Sequence, residues 1–143
     1  NAMRLDDFNH ERREVENNMK QQALAYLADM KPLDERHLMA GVCLFDESWH
    51  QGVIGILAAR IKDKIHRPVI AFAPSGDDEI KGSARSIEGV HIRDVLSDIA
   101  CLHPHILSKF GGHAMAAGLS LKRREFPAFV LAFDEMVAQH LKD

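Results

Sequence analysis

A helical period flanked on both sides by apolar runs dictates how the middle of this chain folds. Val53, Ile54, Leu57, Ala58, Ile61 and Ile65 recur at helical spacing between an apolar run from Leu38 to Phe45 and the run VIAFA that follows Pro68. Strand, helix, strand in that order predicts a β-α-β unit, because each element must bury an apolar face against another. The chain can fill such a core: 143 residues, 46% hydrophobic and 27% charged, suit one globular domain. With 9 Gly and 5 Pro there is no bias toward a disordered or collagen-like chain. The longest apolar runs fall well short of the ~20 residues of a membrane span, so no membrane partner is expected.

The remaining elements follow from the same patterns. Asn1-Ala2 before Met3 reads as the remnant of a cleaved tag, so 1–3 is set aside; 4–36 is expected as a leading helix and loop, and 37–143 as the domain proper. The leading helix rests on Leu5, Phe8, Val15, Met19, Ala23, Tyr26 and Met30, with Glu11, Arg12, Arg13, Glu14, Glu16 and Lys20 as a solvated face. Such a helix suits a connector. Ser75 to Glu79 predicts a turn, Ile80 to Ser86 a short strand, and His91 to Ala100 a helix with Ile92, Val95, Leu96 and Ile99 on one face. Ala117 to Leu121 predicts a strand, and Phe126, Phe129, Val130, Phe133, Val137 and Leu141 a final amphipathic helix with Pro127 in its first turn. The expected class is α/β: a mixed sheet of four or five strands flanked by helices and preceded by the long N-terminal helix.

A net charge of -3 argues against a general polyanion binder. Residues 82–125, however, carry six Lys or Arg against four acids, with His91, His103, His105 and His113, so an anion site is expected in this half. Within it, KFGGHAMAAGLSL (Lys109 to Leu121) places Gly111 and Gly112 before a short helix-compatible stretch. Two residues without Cβ let a phosphate approach the main chain, free N–H groups at a helix start would point toward it, and His113 can donate a hydrogen bond. A Gly-Gly pair also serves as a plain turn, so spacing alone leaves both readings open. GSARS (Gly82 to Ser86) projects Ser83 and Arg85 from one strand face, where the arginine fork suits phosphate oxygens; the competing reading is a surface arginine on an edge strand. The loop Trp49-His50-Gln51-Gly52 offers an indole for base stacking or core packing and an imidazole near a helix N-terminus.

Metal-dependent phosphoester hydrolysis needs carboxylates and histidines converging on one or two cations. The sequence has no DxD and no HExxH, Asp77-Asp78 falls in a turn, and His103-Pro104-His105 lacks a third ligand, so no metal site and no cofactor is expected in this chain. No GxSxG marks a serine nucleophile. Cys43 and Cys101 stand without CxxC spacing, which argues against a disulfide scaffold or a cysteine zinc site and for a reducing, cytoplasmic setting.

Taken together, HQGVIGILAARI (His50 to Ile61), RPVIAFAP (Arg67 to Pro74), GSARS and KFGGHAMAAGLSL resemble the RecJ family of single-strand-specific DNA exonucleases in order and spacing. The part resembled is the DHH-associated substrate-binding domain, whose signature GGHxxAAG stands here as Gly111, Gly112, His113, Ala116, Ala117 and Gly118. LDDFNHERREVENNM looks like the helix that connects it to a catalytic domain. The resemblance covers residues 4–141. It implies a full-length enzyme that degrades single-stranded DNA from the 5′ end in DNA repair and recombination, with manganese or magnesium held in an N-terminal Asp-His-His domain. That domain, and a C-terminal OB-fold domain, are the implied partners besides single-stranded DNA. By the same resemblance Gly111, Gly112 and His113 sit at the phosphate near the scissile bond, His113 stabilising charge in the transition state. Ser83, Arg85 and Ser86 would grip another backbone phosphate. His50 is a further candidate whose motif serves helix packing as well as contact, and Lys109 with Lys122-Arg123-Arg124 would add non-specific attraction. The other classes weighed are a stand-alone phosphate or nucleotide module, the substrate domain of a DHH phosphodiesterase for short oligonucleotides or cyclic dinucleotides, and a protein-interaction domain.

Overall fold

A computed structural model describes residues 40–107 and 109–142, with 17, 18 and 21 as further helical positions. The tag remnant, the start of the first apolar run at Leu38 and otherwise the leading helix expected within 4–36 lie outside the described residues. Within them, β1 (Val42–Phe45) leads through a loop to α1 (Ile54–Ile65), β2 (Val69–Ser75), β3 (Glu79–Arg85), α2 (Ile92–Leu102), β4 (Lys109–Gly112), β5 (Ala116–Lys122), a 3-10 turn (Arg123–Glu125) and α3 (Phe126–Lys142). The mixed α/β sheet has five strands in the order β1-β2-β3-β5-β4. β1 and β2 are parallel, joined across α1 as the β-α-β pattern requires, and the other pairs are antiparallel.

The sheet separates two apolar layers, and its pleat decides which residue joins which. Val42, Leu44, Val69, Ala71 and Ala73 pack with Leu57, Ala58 and Ile61 of α1 and with Trp49. The alternate residues, Cys43, Ile70, Phe72, Ile80, Ala84, Ala117, Leu119 and Leu121, face α2 and α3. β2 is therefore covered on both faces, which is why VIAFA reads as an unbroken apolar run. Phe72 meets Phe126 and Phe129 edge-on, at 5.4 and 5.8 Å between ring centres. A Cβ on Gly82, directly across the ladder, would fall 2.5 Å from the Phe72 ring. Truncating that ring to alanine is expected to cost about 3–5 kcal/mol.

Local bonds fix the ends. His66 closes α1 in the left-handed conformation, φ 57°, its N–H donating to the Lys62 carbonyl. Nδ1 of His91 accepts from the Asp94 N–H and caps α2, so this histidine is engaged in the fold. The carboxylate of Asp134 on α3 accepts from the N–H groups of Ala40 and Gly41 and holds the start of β1. Cys43 lies beneath, its thiol pushed well above its ordinary pKa by burial and by the nearby Asp134, whereas Cys101 is exposed; both are free.

One expected element is corrected. The stretch after Gly112 is not a helix start but the tip of a β4–β5 hairpin. Alanine and methionine favour a helix locally, yet the tip is closed by a bond of its own and claimed by two distant partners. His113 N–H donates to the Ala116 carbonyl at 2.7 Å, Ile92 N–H to Ala114 at 2.8 Å, and Ser86 N–H to Met115 at 2.9 Å.

Candidate functional site

The period of β3 puts Lys81, Ser83 and Arg85 on the α1 side of the sheet, while Ile80, Gly82 and Ala84 are buried under α2 and α3. Register then carries each residue into a row across the strands. Arg85 lies opposite Val69 and Ala116; Ser83 opposite Ala71 and Gly118, which in turn faces Gly111. Lys81 lies opposite Ala73 and Ser120, which faces Lys109. α1 covers the β2 end of these rows and leaves Gly118 and Gly111 exposed. The result is a shelf: helix on one side, an open glycine floor on the other.

Arg85 stands where helix and floor meet. It is half-buried, and its Nη1 donates to Ser83 Oγ at 3.0 Å and to the Ala84 carbonyl at 2.8 Å. Among the described residues no carboxylate pairs with it. A guanidinium held by neutral acceptors leaves its remaining donors for an external anion. Gly55 makes this placement possible, since a Cβ there would lie 2.8 Å from Arg85 Nη2 and 3.2 Å from Ser83 Oγ.

The two glycines of the GGH motif have different reasons. Gly112 is required by the turn: its φ is 153°, and a Cβ would meet the Ala116 carbonyl and Ala117 Cα, each at 2.5 Å. Gly111 is required by nothing in the fold, since a Cβ there would find no atom within 4 Å, and at Gly118 only the Gly82 carbonyl at 3.9 Å. Glycine inside a strand with open space above it leaves room for another chain or ligand to approach closely. His113 is exposed at the hairpin tip, just past the row of Arg85, because Ala116 is the partner of Arg85. His50 is exposed in the loop before α1, its carbonyl accepting from Val53, while Gln51 ties that loop to the Pro74 carbonyl.

One expected contact changes character. Ser86 is fully buried, with its hydroxyl donating to the Val90 carbonyl at 2.6 Å, so it braces the segment before α2 and is not presented to a ligand. Of the two readings of Trp49, the structure shows core packing, since the residue is buried against α1. Lys81, Gly118, Ser120 and Gly55 were not singled out from the sequence for this face. Extending the two-residue period of Ser83 and Arg85 back by one step would have found Lys81. The other three needed the strand register and the helix packing. Among the described residues no group of three or more His, Cys, Asp or Glu converges to hold a metal ion, and no helix is long and apolar enough to cross a membrane.

A family model described as the DHHA1 domain matches residues 35–139. The chain belongs to the DHHA1 domain family. This DHHA1 domain is 49% identical over 140 residues to the single-stranded-DNA-specific exonuclease RecJ of Salmonella typhimurium, a match that covers 98% of the chain. The chain spans only 24% of that relative's length. The crystal structure of RecJ from Thermus thermophilus in complex with Mg2+ superimposes with a TM-score of 0.73 at 29% identity, covering 92% of this chain and 18% of that one. A crystal structure of exonuclease RecJ bound to manganese gives the same TM-score, 0.73, at 28% identity over 91% of this chain and 29% of that one. The resemblance read from the motifs therefore holds, and this DHHA1 domain is of the RecJ kind.

Proposed function

We propose that this DHHA1 domain is the substrate-binding part of a RecJ-type exonuclease and grips the backbone of single-stranded DNA on the open shelf beside α1. The observation that carries this reading is Arg85, half-buried, oriented by Ser83 and the Ala84 carbonyl, and without a carboxylate partner among the described residues. Arg85 and Ser83 hold one phosphate. The bare main chain at Gly111 and Gly118 admits the strand, and His113 at the hairpin tip donates a hydrogen bond to the phosphate being cleaved. Ions of the kind seen in the RecJ structures, Mg2+ or manganese, belong in this reading to an Asp-His-His domain of the parent, where they would activate the attacking water and steady the phosphoryl oxygens. The reaction is hydrolysis of a phosphodiester from the 5′ end, and this domain supplies the wall against which the strand is aligned. Together with an OB-fold domain, these parts make up the parent enzyme of repair and recombination.

The test is fluorescence anisotropy of a 5′-phosphorylated, 3′-labelled single strand at low salt, titrated with wild type, Arg85→Ala and His113→Ala. Removing a charged fork from a phosphate is expected to weaken binding about tenfold or more. Equal binding by wild type and Arg85→Ala would remove the shelf from the substrate path.

A further inference from the structure

The shelf carries a row that the motifs do not account for. Lys81 on β3 and Lys109 on β4 are exposed and flank the half-buried Ser120 of β5 in direct register. Neighbouring strands lie about 4.8 Å apart, so the two lysine Cα atoms stand about 10 Å apart across Ser120. Among the described residues neither lysine has a carboxylate partner. The adjoining row, Glu79 opposite Lys122, holds one charge of each sign. The shelf thus carries uncompensated positive charge at the row of Lys81 and Lys109 as well as at Arg85.

The row is also at a telling distance. It lies two residues along the strands from the row of Ser83, a step of about 6.8 Å, comparable to the step between neighbouring phosphates of an extended single strand. Between the two rows there is no side chain on β5 or β4 beyond Gly118 and Gly111, so nothing blocks a backbone running from one to the other. We infer that Lys81, Ser120 and Lys109 form a second backbone subsite, taking the phosphate next along the strand from the one held by Ser83 and Arg85. This rests on the reading of the shelf as a single-stranded DNA surface. It sets the path of the strand along β3 and β5, with the two lysines on either side of the second phosphate and the Ser120 hydroxyl beneath it. Contacts of this kind read no base, so the subsite adds grip without sequence preference.

The experiment is anisotropy of a labelled oligothymidylate over a series of salt concentrations, with wild type, Lys81→Ala, Lys109→Ala, the double variant, Arg85→Ala and Arg93→Ala. Arg93 is exposed on α2, on the other side of the sheet, and removes equal charge away from the shelf. Each lysine variant is expected to bind roughly two- to fivefold more weakly and to lower the slope of log K against log salt by about 0.7, while Arg93→Ala matches wild type. If the double variant behaves like Arg93→Ala while Arg85→Ala is impaired, the second subsite is overturned and the shelf reading survives. If neither weakens binding, or wild type does not bind, both fall together. Melting curves of the lysine variants, expected to coincide with wild type because both side chains are exposed, separate lost contact from lost folding.

Discussion

Gly111 and Gly112 are neighbours of one type with opposite obligations, and the contrast is testable. Alanine at 112 would force a Cβ into the main chain of Ala116 and Ala117 at a φ of 153°. That strain is expected to destabilise the domain by roughly 1–3 kcal/mol, read as a lower melting temperature. Alanine at 111 meets only open space and should leave stability equal or raise it by about 0.5–1 kcal/mol, because glycine weakens a strand interior. Its cost should appear in binding, as a fall in affinity for a single strand that must lie on that main chain. Unchanged affinity in a stable Gly111→Ala protein would mean that the strand passes elsewhere. The sequence made both glycines conspicuous but could not separate them, because the distinction lives in backbone angles and in what stands above each residue.

At the level of elements, α1 does more than cover β2. Its first turn carries Gly55 against Arg85 and Ser83, so the helix sets how far the guanidinium reaches. Gly55→Ala is expected to keep or improve stability, since alanine is favoured over glycine in a helix by up to about 1 kcal/mol and the atom displaced is the far end of a flexible side chain. Affinity for single-stranded DNA should nevertheless fall toward that of Arg85→Ala, as measured by anisotropy beside a melting curve. An unaltered affinity would show that the arginine acts in some other pose. The β-α-β unit, the α2 face and the terminal helix were legible because their apolar periods are long and regular. The β4–β5 hairpin was not, because its tip has the composition of a helix and its fate is decided by Ile92 and Ser86, residues far from it in sequence. Ser86 differs from expectation for a related reason: its position in GSARS suggests contact, whereas the side chain is buried and its hydroxyl donates to the Val90 carbonyl.

For the whole molecule, the proposed division between gripping and cutting sets what the isolated chain should do. The described residues present a cationic shelf but bring no three metal-binding side chains together, and hydrolysis of an unactivated phosphodiester needs such a centre. In the proposed reading that centre belongs to another domain of the parent, so the 143-residue chain is expected to release no mononucleotides from a 5′-phosphorylated single strand in manganese above a protein-free blank. Degradation that persists across independent preparations would overturn this. In a parent chain carrying the metal domain, the same shelf should divide its effects by residue. If Arg85 holds a phosphate as proposed, that phosphate carries the same charge in the bound substrate and in the transition state, so Arg85→Ala should raise KM with little change in kcat, the mark of lost uniform binding. In the proposed role of His113 at the phosphate where charge develops, His113→Ala should lower kcat by about 100-fold or more. If His113→Ala alters KM alone, its imidazole helps to grip the strand and takes no part in the chemical step.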